Sequence, residues 1–257
     1  MRLFWLLLTL FSYLSLPAHI YLSNCASRVG VSNLNLISTS PLTSYYQPAV
    51  SHQGIACSIS QPFQFSNVEN GNLAFSQDLI AGNITIGSNY LISSDYSTYS
   101  NFLNYNYTFQ KLITVGIGHK LITVSEEEKY VENSTDLGLM LKQESLALAV
   151  SYTNLFHNKS KRISLPNISS TELSYQPQED VLLGVGLEKE KNQKLNTKLG
   201  ISYQIIENFT LLSGYSLEPN QITFGINIEY SKFNISYAIA THNELKSSHY
   251  ISLIYGL

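Results

Sequence analysis

Apolar and polar residues alternate with a period of two along most of the chain. The pattern is most regular over residues 221–257. Ile222, Phe224, Ile226, Ile228 and Tyr230 share one parity, while Thr223, Gly225, Asn227 and Glu229 share the other. Phe233, Ile235, Tyr237 and Ile239 alternate with Asn234, Ser236, Ala238 and Ala240, and Ile251, Leu253, Tyr255 and Leu257 complete the series. Successive side chains of a strand point to opposite faces, so each stretch predicts a strand with one apolar and one polar face. The same reading gives strands over 54–60, 72–79, 83–92, 103–115 with a continuation toward Val124, 137–141, 146–152, 181–187, 199–205 and 209–216. Turns are expected over 93–101, at Glu126–Lys129, Lys142-Gln143-Glu144, Glu188–Lys191 and Glu218-Pro219-Asn220. Residues 155–178 read as a long polar loop, broken by Pro166 and Pro177 and carrying Lys159, Lys161 and Arg162. The count comes to about twelve or thirteen strands of about ten residues, the length that crosses a bilayer when tilted. Closure of a bacterial barrel favours an even number, twelve or fourteen.

The apolar faces need a cover, and composition decides between a protein core and lipid. Of the 257 residues only 13% are charged, against about 25% in an ordinary soluble domain. Tyr and Phe are abundant, at 18 and 11 residues. Low charge, aromatic richness and alternation without long apolar runs predict an all-β fold, a transmembrane antiparallel up-and-down β-barrel of 12–14 strands. A soluble β-sandwich would alternate too. Tyr203, Tyr230, Tyr237 and Tyr255 at the edges of the apolar faces favour the barrel, whose membrane boundaries carry aromatic girdles. On this reading the polar alternates Lys198, Gln204, Asn227, Glu229 and Ser236 face the lumen, as do the strand glycines of Gly116-x-Gly118 and Gly184-x-Gly186. A net charge of −3 excludes a nucleic-acid partner, which demands a basic face. Cys25 and Cys57 are too few for a disulfide framework.

The chain divides into a signal peptide over 1–25, a plug-like segment over 26–50 and a barrel over 51–257. Met1-Arg2 followed by an apolar run to Leu16 and then Pro17 reads as a secretory signal. Leu22-Ser23-Asn24-Cys25 loosely resembles a lipoprotein box, with Asn24 where a small residue is expected; an ordinary cysteine is the favoured reading. An exported barrel without an apolar helical anchor has the outer membrane as its expected place and membrane lipid as its expected partner.

Several short stretches resemble the outer-membrane barrel family that includes PorV and PorQ, within the superfamily of the fatty-acid transporter FadL. They are Asp136-Leu137-Gly138-Leu139 with Leu146–Val150, Leu199–Tyr203 with Gly214-Tyr215, and Thr223–Ile226 with Ile235–Ala238. The closing segment with His242, Leu245 and His249 resembles the family's histidine-leucine-glycine-histidine stretch, with Lys246 in place of glycine. Gln47-Pro48-Ala49 resembles its Asn-Pro-Ala motif, with Gln47 replacing the asparagine. The resemblance implies fourteen strands and an N-terminal segment that enters the lumen. It also implies one of two non-enzymatic tasks: assisting type IX protein secretion together with other secretion-system components, or passing a hydrophobic small molecule. The alternative is a structural or adhesive surface protein with a closed lumen, binding through the 155–178 loop. His242 and His249 flank the last turn, and two histidines fall short of the three or four ligands that a metal takes. No Gly-x-Ser-x-Gly elbow supports a serine hydrolase. No cofactor is expected.

Overall fold

The computed structural model describes residues 24–126, 128–157, 165–191 and 193–257. The signal-peptide reading falls largely on residues 1–23, and with Lys159, Lys161 and Arg162 it lies outside the described residues. Fourteen antiparallel strands run in sequence order around a closed ring. They are β1 (Gly54–Gln61), β2 (Glu69–Leu79), β3 (Gly82–Ile92), β4 (Ser97–Phe109), β5 (Ile113–Ser125), β6 (Lys129–Gln143) and β7 (Leu146–His157). β8 (Ile168–Gln178), β9 (Val181–Glu190), β10 (Leu195–Ile206), β11 (Phe209–Ser216), β12 (Gln221–Tyr230), β13 (Phe233–Ala240) and β14 (Ser248–Tyr255) complete it. The first and last strands pair from Ile55↔Tyr255 to Gln61↔His249, so no edge is left open. The expected fold class and the larger of the two expected strand counts are observed.

Side-chain parity is inverted relative to a soluble protein. Val115 is 56% exposed and Ile235 52%, whereas their neighbours Thr114 and Ser236 are 3% and 0% exposed. Apolar residues therefore cover the outside and polar ones the inside, the arrangement that suits a hydrocarbon surround. Phe233 and Tyr255 pack ring against ring, 5.1 Å between centroids, at the aromatic edge. One end of the barrel is closed by turns of two or three residues, the other by connections of three residues or more.

Several boundaries differ from the sequence reading. The 155–178 loop is much shorter, because Ile168–Gln178 is strand β8 despite Pro177. Proline is tolerated at a strand end, where its missing N–H breaks no ladder. Lys142 and Gln143 end β6, leaving Glu144-Ser145 as the turn, with Glu144 at φ 49°. Glu188–Glu190 belongs to β9. The 93–101 turn shrinks to 93–96, and 103–115 divides at Gln110-Lys111, both at positive φ.

Ile226 sits on the outer face between Leu211 and Tyr237 of the neighbouring strands. Ile226→Arg is expected to cost about 2–4 kcal/mol of barrel stability, the range for arginine facing mid-bilayer, and Glu229→Arg at the exposed rim about 0–1 kcal/mol. Urea midpoints of the two variants in lipid vesicles, with heat-modifiability on gels to confirm folding, test the difference.

Candidate functional site

The lumen is filled by the chain's own N-terminal segment. Nearly every residue from Asn24 to Val50 is buried. The segment holds one short helix, α1 (Ala26–Gly30), and a single 3-10 turn (Pro41–Tyr45) capped by Ser40, whose side chain accepts from the Leu42 N–H. Helices this short have little stability of their own, so the wall must hold them. α1 packs on β11–β14, and the 3-10 turn on β1–β4.

Wall side chains replace the missing secondary structure. Ser58 and Asn72 donate to the Asn24 carbonyl at 2.6 and 3.1 Å. Ala26 N–H donates to Ser252 Oγ at 2.7 Å. Thr223 Oγ1 accepts from Ser32 N–H and donates to the Gly30 carbonyl, both at 3.1 Å. Asn104 and Asn106 donate to the carbonyls of Ser44 (2.7 Å) and Pro48 (3.2 Å). Where the backbone comes closest, the wall has glycine. A Cβ on Gly116 would fall on the Pro48 carbonyl, one on Gly138 on the Gln47 amide oxygen, and one on Gly214 would stand 2.5 Å from the Ser32 nitrogen. Gly184, Gly186 and Gly200 give the same clearance to Leu34 and Ile37.

Buried charges join the segment to the strands. Lys120 Nζ lies 2.7 Å from Asp136 Oδ2 and 3.9 Å from the centre of the Tyr45 ring. The Tyr45 hydroxyl is 3.0 Å from Ser100 Oγ. Opposite Asp136 the β6–β7 register slips, and Asn154, at φ 58°, donates its N–H to Asp136 Oδ1 at 2.7 Å. Such bulges re-aim a side chain, and asparagine adopts the left-handed backbone more readily than most residues. Glu172 accepts from Asn35 N–H (2.7 Å), Asn35 Nδ2 (2.5 Å) and Leu36 N–H (3.0 Å). Arg28 donates to the amide oxygens of Asn35, Asn24 and Asn33 and stacks on Tyr46 at 4.0 Å. A cavity of about 30 Å³ lies between Arg28, Tyr46, Ser151, Glu188 and Lys198. Lys198 and Glu188 pair across it at 2.7 Å. Glu172 lies close enough to feel the charges of both Lys198 and Arg28, so the two cations and two carboxylates of this region balance.

The structure places the sequence candidates as follows. Lys198, Asn227 and Ser236 are buried on the inner face, at 7%, 5% and 0% exposure. Gln204 and Glu229 have the inward parity but reach the rim, where Gln204 donates to the Glu207 carbonyl and Glu229 accepts from Asn234. Gln47, Pro48 and Ala49 sit inside against β4–β6, and Ala49 N–H donates to the Gln47 side chain at 3.3 Å. His242 and His249 do not face each other. His242 Nε2 is 3.0 Å from Ser248 Oγ and its ring packs at a tilt against Phe63, while His249 points outward to Tyr237 and Gln64. Burial lowers the pKa of His242. Leu245 is exposed in the last loop. Cys25 is wholly enclosed with Leu42, Tyr45, Ala56 and Phe102. Sequence reasoning missed Arg28, Glu172 and the Lys120–Asp136 pair. For the strand residues the signal is a charge at inward parity, Lys120 with Gly116 and Gly118, and Asp136 with Gly138.

The fold and its filled lumen define a class, a fourteen-strand transmembrane barrel plugged by its own N-terminal segment. No family model and no curated protein matches the chain. Among solved structures it is similar to the toluene transporter TodX of P. putida, with 12% identity, a TM-score of 0.69 and coverage of 91% of this chain and 99% of that one. A deltaS2 mutant of the TodX monoaromatic hydrocarbon channel gives 10% identity, a TM-score of 0.66 and coverage of 84% and 93%. At these identities the likeness is one of fold. The PorV/PorQ resemblance is carried by the motif residues alone.

Two variants test the seating. Gly138→Val is expected to unseat residues 47–50 and to make the segment cleavable by added protease, whereas the parent chain resists. His52, where the segment leaves the lumen, has its pKa lowered to about 4 by burial, then by Lys142, against a hydrogen bond to the Ser38 backbone. Because the seated state disfavours the proton, stability is expected to fall as pH drops from about 6.5 to about 4 and to stay level above. Melting of the parent and of His52→Gln across that window should differ, with the variant losing less.

Proposed function

We propose that this protein is an outer-membrane channel whose N-terminal segment gates the passage of a solute. The observation that carries the reading is the seat itself. Fourteen strands enclose a lumen, and the chain spends buried glycines, hydroxyls and paired ions on filling it with a segment joined to β1 by a short link. A barrel serving only as an anchor has no need of a separable filler, whereas a channel has. The polar inner wall and apolar outer wall suit passage between two aqueous spaces. An exported chain in the outer membrane is part of this reading.

The resemblance to the PorV/PorQ and FadL group suggests two finer tasks, type IX secretion support or transport of a hydrophobic solute. The inner wall of Asn, Ser and Thr argues against an apolar solute, since each would lose its hydrogen bonds to it. The secretion role is kept as a second reading, favoured by the filled lumen, which leaves the rims and loops as working surfaces. A closed-lumen structural or adhesive protein would show no conductance in any folded form.

The parent chain in planar bilayers is expected to be closed most of the time. A variant lacking residues 26–50, shown by heat-modifiability to be folded, should give stepwise conductance many-fold above it. A folded but silent deletion variant would overturn the channel reading and leave the secretion or surface role.

A further inference from the structure

One part of the inner wall carries polar atoms that the seated segment does not answer. Asn89 is 0% and Thr98 1% exposed. Neither the Asn89 amide oxygen nor its nitrogen has a hydrogen-bond partner, Asn72 Oδ1 has none either, and Thr98 Oγ1 is met only by the Tyr96 side chain. These groups are neighbours. Asn72 stands opposite Asn89 across β2–β3, Asn89 opposite Ser100 across β3–β4, and Thr98 lies two residues along β4. Directly opposed residues have their Cβ atoms about 5 Å apart, so the four atoms fall within one patch. A buried amide unpaired at both ends is rare, because folding must return the hydrogen bonds that burial removed. Asn104 and Asn106 instead donate to segment carbonyls, and Asn104 and Asn227 each leave only the amide oxygen unpaired.

Tyrosines cover this wall. The Tyr45 hydroxyl reaches Ser100, its ring packs edge-on against Phe102 at 5.2 Å, and Tyr46 packs edge-on against Tyr45 at 4.9 Å. The wall is also uncharged. From Asn70 to Ser76 on β2, Thr85 to Leu91 on β3 and Thr98 to Asn104 on β4, every inward side chain is neutral. The nearest cations are committed, Lys120 to Asp136 and Arg28 to the Tyr46 face and its asparagines.

The chemistry selects a solute class. An anion or cation would meet no opposite charge here, and an apolar solute would leave the same atoms unpaired. A neutral solute with adjacent hydroxyls matches them, since each hydroxyl both donates and accepts and a primary amide offers one donor group and one acceptor. We propose that the wall around Asn72, Asn89 and Thr98 is a binding site for a small uncharged polyhydroxyl solute, a sugar or polyol, uncovered when Tyr45 moves off Ser100. As the identity of the transported solute, this rests on the channel reading above; as a binding site it stands apart from it.

The test uses the full chain in lipid vesicles with D-glucose and mannitol as probes and gluconate as the charged control. Saturable binding is read by titration calorimetry and uptake by vesicle flux. Asn89→Leu and Thr98→Val keep side-chain volume and remove the polar atoms, and heat-modifiability confirms that each is folded. The parent is expected to bind glucose or mannitol saturably and gluconate not at all, and each variant to bind at least tenfold more weakly. No saturable binding by the parent, together with a raised melting temperature in both variants, would show polar groups met by ordered water alone and would overturn the site. Binding without uptake would support the site and remove the channel reading. Equal uptake of glucose and gluconate, unchanged in both variants, would overturn the site and leave the channel.

Discussion

In hydrocarbon no backbone N–H or C=O can find water, so an unpaired strand edge costs several kcal/mol for each group. The register between β1 and β14 removes that edge, and the rest of the molecule inherits its terms. Closing fourteen strands fixes the circumference and makes an interior too wide for the wall's own side chains to fill. The inward positions, often Gly, Ala, Ser, Thr or Asn, leave still more space. Something must occupy it, and the chain supplies residues 24–50.

The segment is held by a fit of a kind different from a soluble core. Apolar contact is local, as where Leu34 and Ile37 meet Leu212 and the glycines of β9 and β10. Most of the interface is polar, and its buried charges are answered inside. Lys120 has Asp136, Lys198 has Glu188, and Glu172 has two backbone N–H groups and an amide. A buried ion that loses its partner is far more costly than the pair is stabilising, so these contacts fix where the segment sits more than how tightly. The side of the lumen facing β2–β4 departs from this rule at Asn89, whose amide is covered without being paired.

The sequence by itself determined the architecture. Strict alternation in stretches such as 222–230 and 233–239, with low charge and edge tyrosines, admits few solutions other than a lipid-facing barrel, because parity assigns each side chain to one face or the other wherever the strand lies. Parity also marked Lys198, Asn227 and Ser236 as inward. Turn positions were less legible: Lys142 and Gln143 look like turn residues by composition yet end a strand, because Glu144 can take the positive φ that a two-residue connection needs.

Only the tertiary structure decided what the inward side chains meet. Asn104 and Asn106 hold backbone carbonyls, whereas Asn89 on the next strand holds nothing, and all three are the same residue at the same parity. Nor does the sequence around Arg28 or Glu172 tell that both hydrogen-bond to Asn35. Alternation is a local property of a strand, readable two residues at a time. The partner of an inward atom is set by strand register, by a bulge at Asn154 and by the path of a segment with almost no regular structure, and these are properties of the closed ring as a whole.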